Sequence, residues 1–181
     1  MTTYIETERL KLRDWYDEDL IHLQKMNANR RVRQYFPSLL SYNRSQIDFN
    51  LMRDQVEKNQ VGLFAVELKA TGEWIGFIGL NYLPKQSMYQ FDELPFYEIG
   101  WRLVPEVWGN GLATEGAEAV IKYIRKSTEI TKIYSIASEN NAPSIRVMEK
   151  IGMRKYDVFQ KEDLSEHHPL RHQVRYFKKV Q

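Results

Sequence analysis

The chain contains no cysteine among its 181 residues. That absence excludes disulfides, thiolate metal sites and catalysis through a covalent thiol intermediate. Also missing is any apolar run approaching the roughly 18 residues that a membrane-spanning helix needs. The opening Met1-Thr2-Thr3-Tyr4-Ile5-Glu6 has no apolar signal core, so no membrane partner and a cytoplasmic location are expected. Charge of one sign is not in excess either: 26 basic and 24 acidic residues leave a formal net charge of +2. Dedicated nucleic-acid binding would require a stronger basic footprint. No repeat, low-complexity tract or Pro/Gly/Ser-rich linker divides the sequence, so residues 1–181 are read as one domain. At 43% hydrophobic and 13% aromatic content, the chain can fill one buried core.

What is present reads as mixed α and β. Residues 8–14 form a candidate strand, and Asp17 or Asp19 can cap a helix carrying Leu20, Leu23 and Met26 at helical spacing. A second helix is expected from about Ser45 to Lys58, with Ile47, Leu51 and Val56 as its apolar side. Val61 to Leu68 and Trp74 to Tyr82 are strand-like, with Ala70-Thr71-Gly72-Glu73 as a hairpin connection. Tyr97 to Val104 reads as the next strand, where Gly100 signals a bulge or a close backbone approach. A helix from about Ala113 to Lys126 places Ala113, Ala117, Val120, Ile121 and Ile124 on one side.

Between that strand and helix lies Pro105-Glu106-Val107-Trp108-Gly109-Asn110-Gly111-Leu112-Ala113-Thr114-Glu115. Two close glycines before a helix let backbone N–H groups turn toward an anion, at the positive end of the helix dipole. The backbone amides of Asn110, Gly111, Leu112 and Ala113, with the Thr114 hydroxyl, are therefore expected to hold a pyrophosphate. A P-loop is excluded, because no Gly-Lys-Ser or Gly-Lys-Thr closes the segment. A dinucleotide fingerprint wants Gly or Ala where Thr114 stands and an acid after the next strand, a role Glu139 fills only loosely.

The second half of the pattern is Ala137-Ser138-Glu139-Asn140-Asn141-Ala142-Pro143-Ser144-Ile145-Arg146-Val147-Met148-Glu149-Lys150-Ile151-Gly152-Met153. Together with the glycine segment it resembles the GNAT acetyltransferases, in particular the branch of ribosomal-protein N-terminal acetyltransferases (RimJ/RimL-like). The resemblance runs from Glu8-Arg9-Leu10-Lys11-Leu12-Arg13 to Arg175-Tyr176-Phe177 and is most specific between Tyr97 and Met153. The family's acetyl-CoA signature, Gln/Arg-x-x-Gly-x-Gly/Ala, falls on Trp108 to Ala113, with Trp108 departing from Gln or Arg.

The resemblance implies an α/β (α+β) fold: a mixed, mostly antiparallel sheet flanked by helices, with two splayed parallel strands forming a slot for acetyl-CoA. Unpaired backbone groups of Leu103 and Val104 would bond the pantetheine arm there, beside the strand Thr131 to Ala137. Asn141 is implied as a pantetheine contact and can equally cap the helix that Pro143 begins. The chemistry implied is direct attack of an amine on the acetyl thioester. An α-amine, with a reference pKa of ~7.7–8.0, is partly neutral near neutrality, whereas a lysine amine at ~10.4 needs more help. Glu98 is the candidate base and can otherwise be an ion-paired strand residue. Many members of the family place a Tyr proton donor where this chain has Met148; Ser144 is the candidate replacement, with helix capping as its alternative role.

The acceptor expected is a protein N-terminus or a small amine such as an amino sugar, polyamine or aminoglycoside, and a homodimer is compatible with the pattern. Two rival readings remain at this level: a non-catalytic acyl-CoA-binding or protein-interaction module, and a dinucleotide-binding oxidoreductase domain. No metal is expected, since Pro169 breaks the helical spacing within Glu166-His167-His168-Pro169-Leu170-Arg171-His172. That segment reads as a solvated loop or a wall of the substrate site. Met88 to Phe96 is either a pocket lining or a self-packed loop, with Asp92 and Glu93 suited to a cationic amine. Asn29-Arg30-Arg31-Val32-Arg33 reads as a solvated helix end, with RNA contact as the minor alternative.

Overall fold

Alternating β-branched and aromatic stretches assemble into one eight-stranded sheet in the computed structural model, which describes residues 1–181. In chain order the elements are β1 (Thr3–Glu6), β2 (Leu10–Arg13), α1 (Asp19–Asn27), α2 (Tyr42–Asn59), β3 (Leu63–Leu68) and β4 (Trp74–Leu83). Then follow β5 (Phe96–Leu103), α3 (Leu112–Ser127), β6 (Lys132–Ser138), α4 (Ala142–Lys150), β7 (Arg154–Gln160) and β8 (His172–Lys179). The spatial order is β1-β2-β3-β4-β5-β6-β8-β7, and every neighbouring pair is antiparallel except β5 and β6.

Helices cover both faces. Phe77 of β4 lies 6.3 Å, centroid to centroid, from Trp15, which packs edge-on against Phe49 of α2. The next residue, Ile78, lies against Gly116 of α3, so successive β4 side chains separate the α1–α2 layer from the α3 layer. Gly79 marks the tightest approach in the sheet: a Cβ there would stand 1.9 Å from the Gly62 carbonyl oxygen. Gly79→Ala is expected to cost at least ~3 kcal/mol, since backbone and not a flexible side chain must move. Thermal denaturation checks this, and an unchanged melting temperature would contradict the close approach.

Local details depart from sequence expectation for identifiable reasons. Strand β1 was not anticipated; it pairs with β2 and carries the ladder to the sheet edge. Gly100 forms no bulge, because β4 and β5 keep continuous register through Gly79↔Gly100. Asp19 does not cap α1 but turns inward, accepting hydrogen bonds from Arg13 and the Tyr16 amide. Helix α2 begins earlier than expected, capped by Ser41. It buries Phe49, Met52 and Val56, leaving Ile47 and Leu51 exposed at 53% and 58%. Apolar spacing alone offered two stripes on that helix, and the position of β3 selected one.

Candidate active site

Chain reversal after β5 builds a cradle of unpaired backbone amides. Leu103 leads into a single 3-10 turn, Pro105–Val107, then Gly109 and Gly111 with φ of +77° and +76°. Gly111 stands at the N-cap of α3 and no side chain caps the helix. The amides of Asn110, Gly111, Leu112, Ala113 and Thr114 consequently have no protein acceptor. Side chains brace the loop from behind. Asn110 Nδ2 donates to the Val107 and Trp108 carbonyls, and Arg9 Nη1 donates to the Asn110 carbonyl at 2.8 Å. Glu115 in the first turn of α3 accepts from Thr7 Oγ1 at 2.6 Å and pairs with Arg9 at 2.6 Å. Burial raises the Glu115 pKa, but the Thr7 and Arg9 bonds outweigh it and hold the carboxyl below its usual range.

The cradle opens onto a gap between β5 and β6. These parallel strands share one register pair, Glu98↔Tyr134, and the Ser135 hydroxyl ties the apex by donating to the Ile99 carbonyl at 2.9 Å. Beyond it the strands diverge. Val104 does not offer free backbone groups: its amide donates to Ile75 O and its carbonyl accepts from Val107. The Leu103 carbonyl accepts from Trp108 Nε1 at 2.8 Å. Strand alternation instead turns the amides of Trp101 and Leu103 toward the gap. Sequence reasoning identified the correct strand end but could not assign which residues face β4.

Glu98 lies at the apex of the gap, on the α1–α2 face of β5. Its cross-strand neighbour is Asn81. Burial pushes the carboxyl up to about 7, opposed by a hydrogen bond from Asn81, the positive charge of Lys161 and the Ile136 backbone. Tyr89 faces the same group: burial, then the Glu98 charge, raises its phenol pKa. A carboxylate poised near neutrality can accept an amine proton, and a phenol that stays protonated can donate one. Tyr89, Asn81 and Lys161 were not singled out from the sequence. The hairpin register would have revealed Asn81; Tyr89 and Lys161 arrive on loops.

Across the gap, α4 starts at its N-cap Asn141, whose Oδ1 accepts from the Ser144 amide at 3.2 Å. The cap is thus Asn141 and not Ser144, whose hydroxyl makes no bond within the protein. Met148 is 1% exposed and belongs to the core. Asn141→Ala should lower stability by about 1 kcal/mol through loss of the cap. Comparing its melting temperature with that of Ser144→Ala tests the assignment, because only the first should fall.

Other sequence candidates lie elsewhere. Glu93 is committed to structure: the Tyr156 hydroxyl and then Arg175 hold its carboxyl down to about 2, with the hydroxyl at 2.6 Å. Phe91 stacks on Tyr89 and packs against Phe159 and Phe96, so the aromatic loop packs on itself and on β7 while its Tyr89 stays within reach of the Glu98 charge. In the histidine segment, His168 Nδ1 accepts from the Leu170 amide. Within Asn29–Arg33, Val32 and Arg33 are buried at 7% and 8% exposure, not solvated.

A helix N-terminus with free amides that opens into a slot between splayed parallel strands has the geometry suited to a phosphate-bearing, extended cosubstrate. Comparison with known proteins agrees. A family model described as an acetyltransferase (GNAT) domain matches residues 9–154. Bacillus subtilis YkkB is 31% identical over 166 residues, covering 88% of this chain and 90% of the relative. The B. subtilis N-acetyltransferase YnaD is 28% identical, covering 87% and 86%. A GNAT-family acetyltransferase structure from Bacillus anthracis superposes with a TM-score of 0.77 at 26% identity, covering 97% and 98%. The chain belongs to the GNAT acetyltransferase family and is an acetyl-CoA-dependent N-acetyltransferase. No helix is long and apolar enough to cross a membrane.

Proposed function

We propose that residues 1–181 act as one catalytic domain that moves the acetyl group of acetyl-CoA to a primary amine within a ternary complex. The observation that carries this reading is Glu98 at the apex of the β5–β6 gap, with its carboxyl raised to about 7. The amine nitrogen attacks the thioester carbonyl, forming the N–C bond, and the C–S bond then breaks. Glu98 takes the proton from the attacking nitrogen. Ser144, whose hydroxyl is free of protein partners, or Tyr89 supplies the proton to the departing sulfur. The amides of residues 110–114 and the Thr114 hydroxyl bind the pyrophosphate, while Trp108 fixes the loop through its bond to Leu103. Leu103 and Asn141 flank the pantetheine arm.

Two acceptor chemistries recur in this fold: RimL, titled a ribosomal L7/L12 α-N-protein acetyltransferase, is 11% identical, and Vibrio cholerae spermidine N-acetyltransferase is 19% identical. At such identity the likeness supports the fold and leaves protein N-termini and small amines as the candidate acceptors. Thiol release from acetyl-CoA, measured against N-terminal peptides, amino sugars, polyamines and aminoglycosides, tests the proposal. Turnover with one class supports it. Thermal stabilisation by CoA without turnover of any amine would instead favour a binding module.

A further inference from the structure

Arginines withdrawn from solvent fall into two kinds, with Arg13, Arg33 and Arg175 buried and Arg102 half-buried. Arg13 contacts Asp19 and Glu67, each at 2.8 Å, and Arg175 contacts Glu93 and Asp157 at 3.0 and 2.5 Å. Each of these guanidinium groups is therefore compensated by two carboxylates. Arg33 and Arg102 are different. Arg33 is 8% exposed and its Nε donates to the neutral Ser38 carbonyl. Arg102, on β5, donates through Nη1 to Asn27 Oδ1 at 3.0 Å. Both guanidinium carbons lie over the Phe36 ring, at 4.2 and 4.8 Å, yet neither forms an ion pair. The carboxylate whose charge reaches them, Asp48, is bonded to Arg44 at 3.0 Å.

Two guanidinium charges packed on one ring with no carboxylate partner are costly to withdraw from water unless an anion joins them. The cost is visible in Arg102, whose pKa burial and Arg33 together push down to about 9. Their position connects them to catalysis. Glu98, Gly100 and Arg102 alternate onto one face of β5, and a Cβ at Gly100 would meet nothing within 4 Å. Open space thus separates the candidate base from Arg102. Lys161, another cation without an ion pair, lies on the loop after β7 within reach of the charges of Asp163, Arg33 and Glu98.

We propose that Arg33 and Arg102, with Lys161 at the rim, form an anion subsite, so that the acceptor is a primary amine bearing a carboxylate or phosphate a few bonds from its nitrogen. This inference rests on the acetyl-transfer reading and narrows its substrate class. Polyamines and aminoglycosides, which are polycations, are disfavoured by like charge. Each arginine retains donors in the fork geometry that carboxylate and phosphate oxygens match.

The test compares acidic amines, namely amino acids and peptides with acidic N-terminal residues, with aminoalkyl phosphonates, with the corresponding amides, and with spermidine. Wild type should turn over one of the anionic sets with kcat/KM at least about tenfold above its neutral amide. Arg102→Gln should raise the KM for that acceptor by about 10- to 100-fold while leaving the KM for acetyl-CoA unchanged. Carboxylate and phosphonate arms identify which anion is read. Spermidine or an amide as the best acceptor, with Arg102→Gln indifferent, would overturn the subsite while leaving acetyl transfer intact. If no amine is acetylated, calorimetric binding of N-acetylated acidic amines and their amides to the CoA-loaded protein decides. Selective binding of the anions that Arg102→Gln abolishes supports the subsite, and equal binding overturns it. Lys161→Ala, at a partly exposed position, repeats the comparison should the Arg102 variant fold poorly.

Discussion

Glu98→Gln is expected to lower kcat by about 10²–10³-fold at neutral pH, with little change in CoA affinity. Gln keeps the size and the hydrogen-bonding contact with Asn81 but cannot accept a proton. The wild-type carboxyl, raised to about 7 by burial, should give the pH–rate profile an acid limb with its midpoint near that value. The variant should lose the limb. An unchanged profile would remove Glu98 from the mechanism. The same shift predicts an effect on stability with a definite sign. A carboxyl whose folded pKa is raised stabilises the fold at pH values below its unfolded pKa, and that contribution is lost as pH rises through the folded value. At pH 8 the wild type therefore bears the cost of a buried carboxylate that Gln does not, up to about 3 kcal/mol from the size of the shift and less because the residue keeps partial solvent access. Glu98→Gln should accordingly melt above wild type at pH 8 and level with it near pH 4. Slower turnover in a protein that is more heat-stable at pH 8 is a pattern that simple misfolding cannot produce.

Gly111→Val should weaken CoA binding by about 100-fold or more, with a smaller loss of stability. Gly111 has φ of +76° at the N-cap of α3, a conformation that a β-branched residue resists by roughly 1–3 kcal/mol. The added Cβ itself meets only Arg9 Nη2, at 3.7 Å, so crowding inside the protein is not the main term. Relaxing the strain turns the amides of residues 110–112 away from their common focus and places a branched side chain where an anion must approach. Gly109→Ala provides the comparison. It has a similar φ of +77° and no atom within 4 Å of its added Cβ, so it reports the strain with less obstruction. Calorimetric titration with CoA, alongside thermal melts, separates the two effects. Retained CoA affinity in a folded Gly111→Val protein would refute the cradle.

Much of the framework was legible because its signals are local. The hairpin between β3 and β4, the helix α3 and the glycine turn before it follow from short-range periodicity, β-branched content and the need for positive φ. Asn141 as the cap of α4 was likewise available, because a side-chain oxygen three residues before the amide that donates to it needs no tertiary partner. Expectations failed where a distant segment made the choice. Ile47 and Leu51 were assigned inward, yet β3 packs on the Phe49, Met52 and Val56 stripe of α2. Val104 was expected to face the cosubstrate, but the register with β4 directs its amide to Ile75.

By itself the sequence determined the family, the glycine turn that leads into α3 and the strand that bears Glu98, because each depends on neighbours within about one turn or one strand. Only the tertiary structure decided the surroundings of that carboxylate. Asn81 comes from the adjacent strand, Tyr89 and Lys161 from separate loops, and Arg33 and Arg102 converge on Phe36 although 68 residues of chain lie between them. Burial and through-space charge set a pKa and a ligand's sign, and both depend on which segments converge, a property no spacing in the chain encodes.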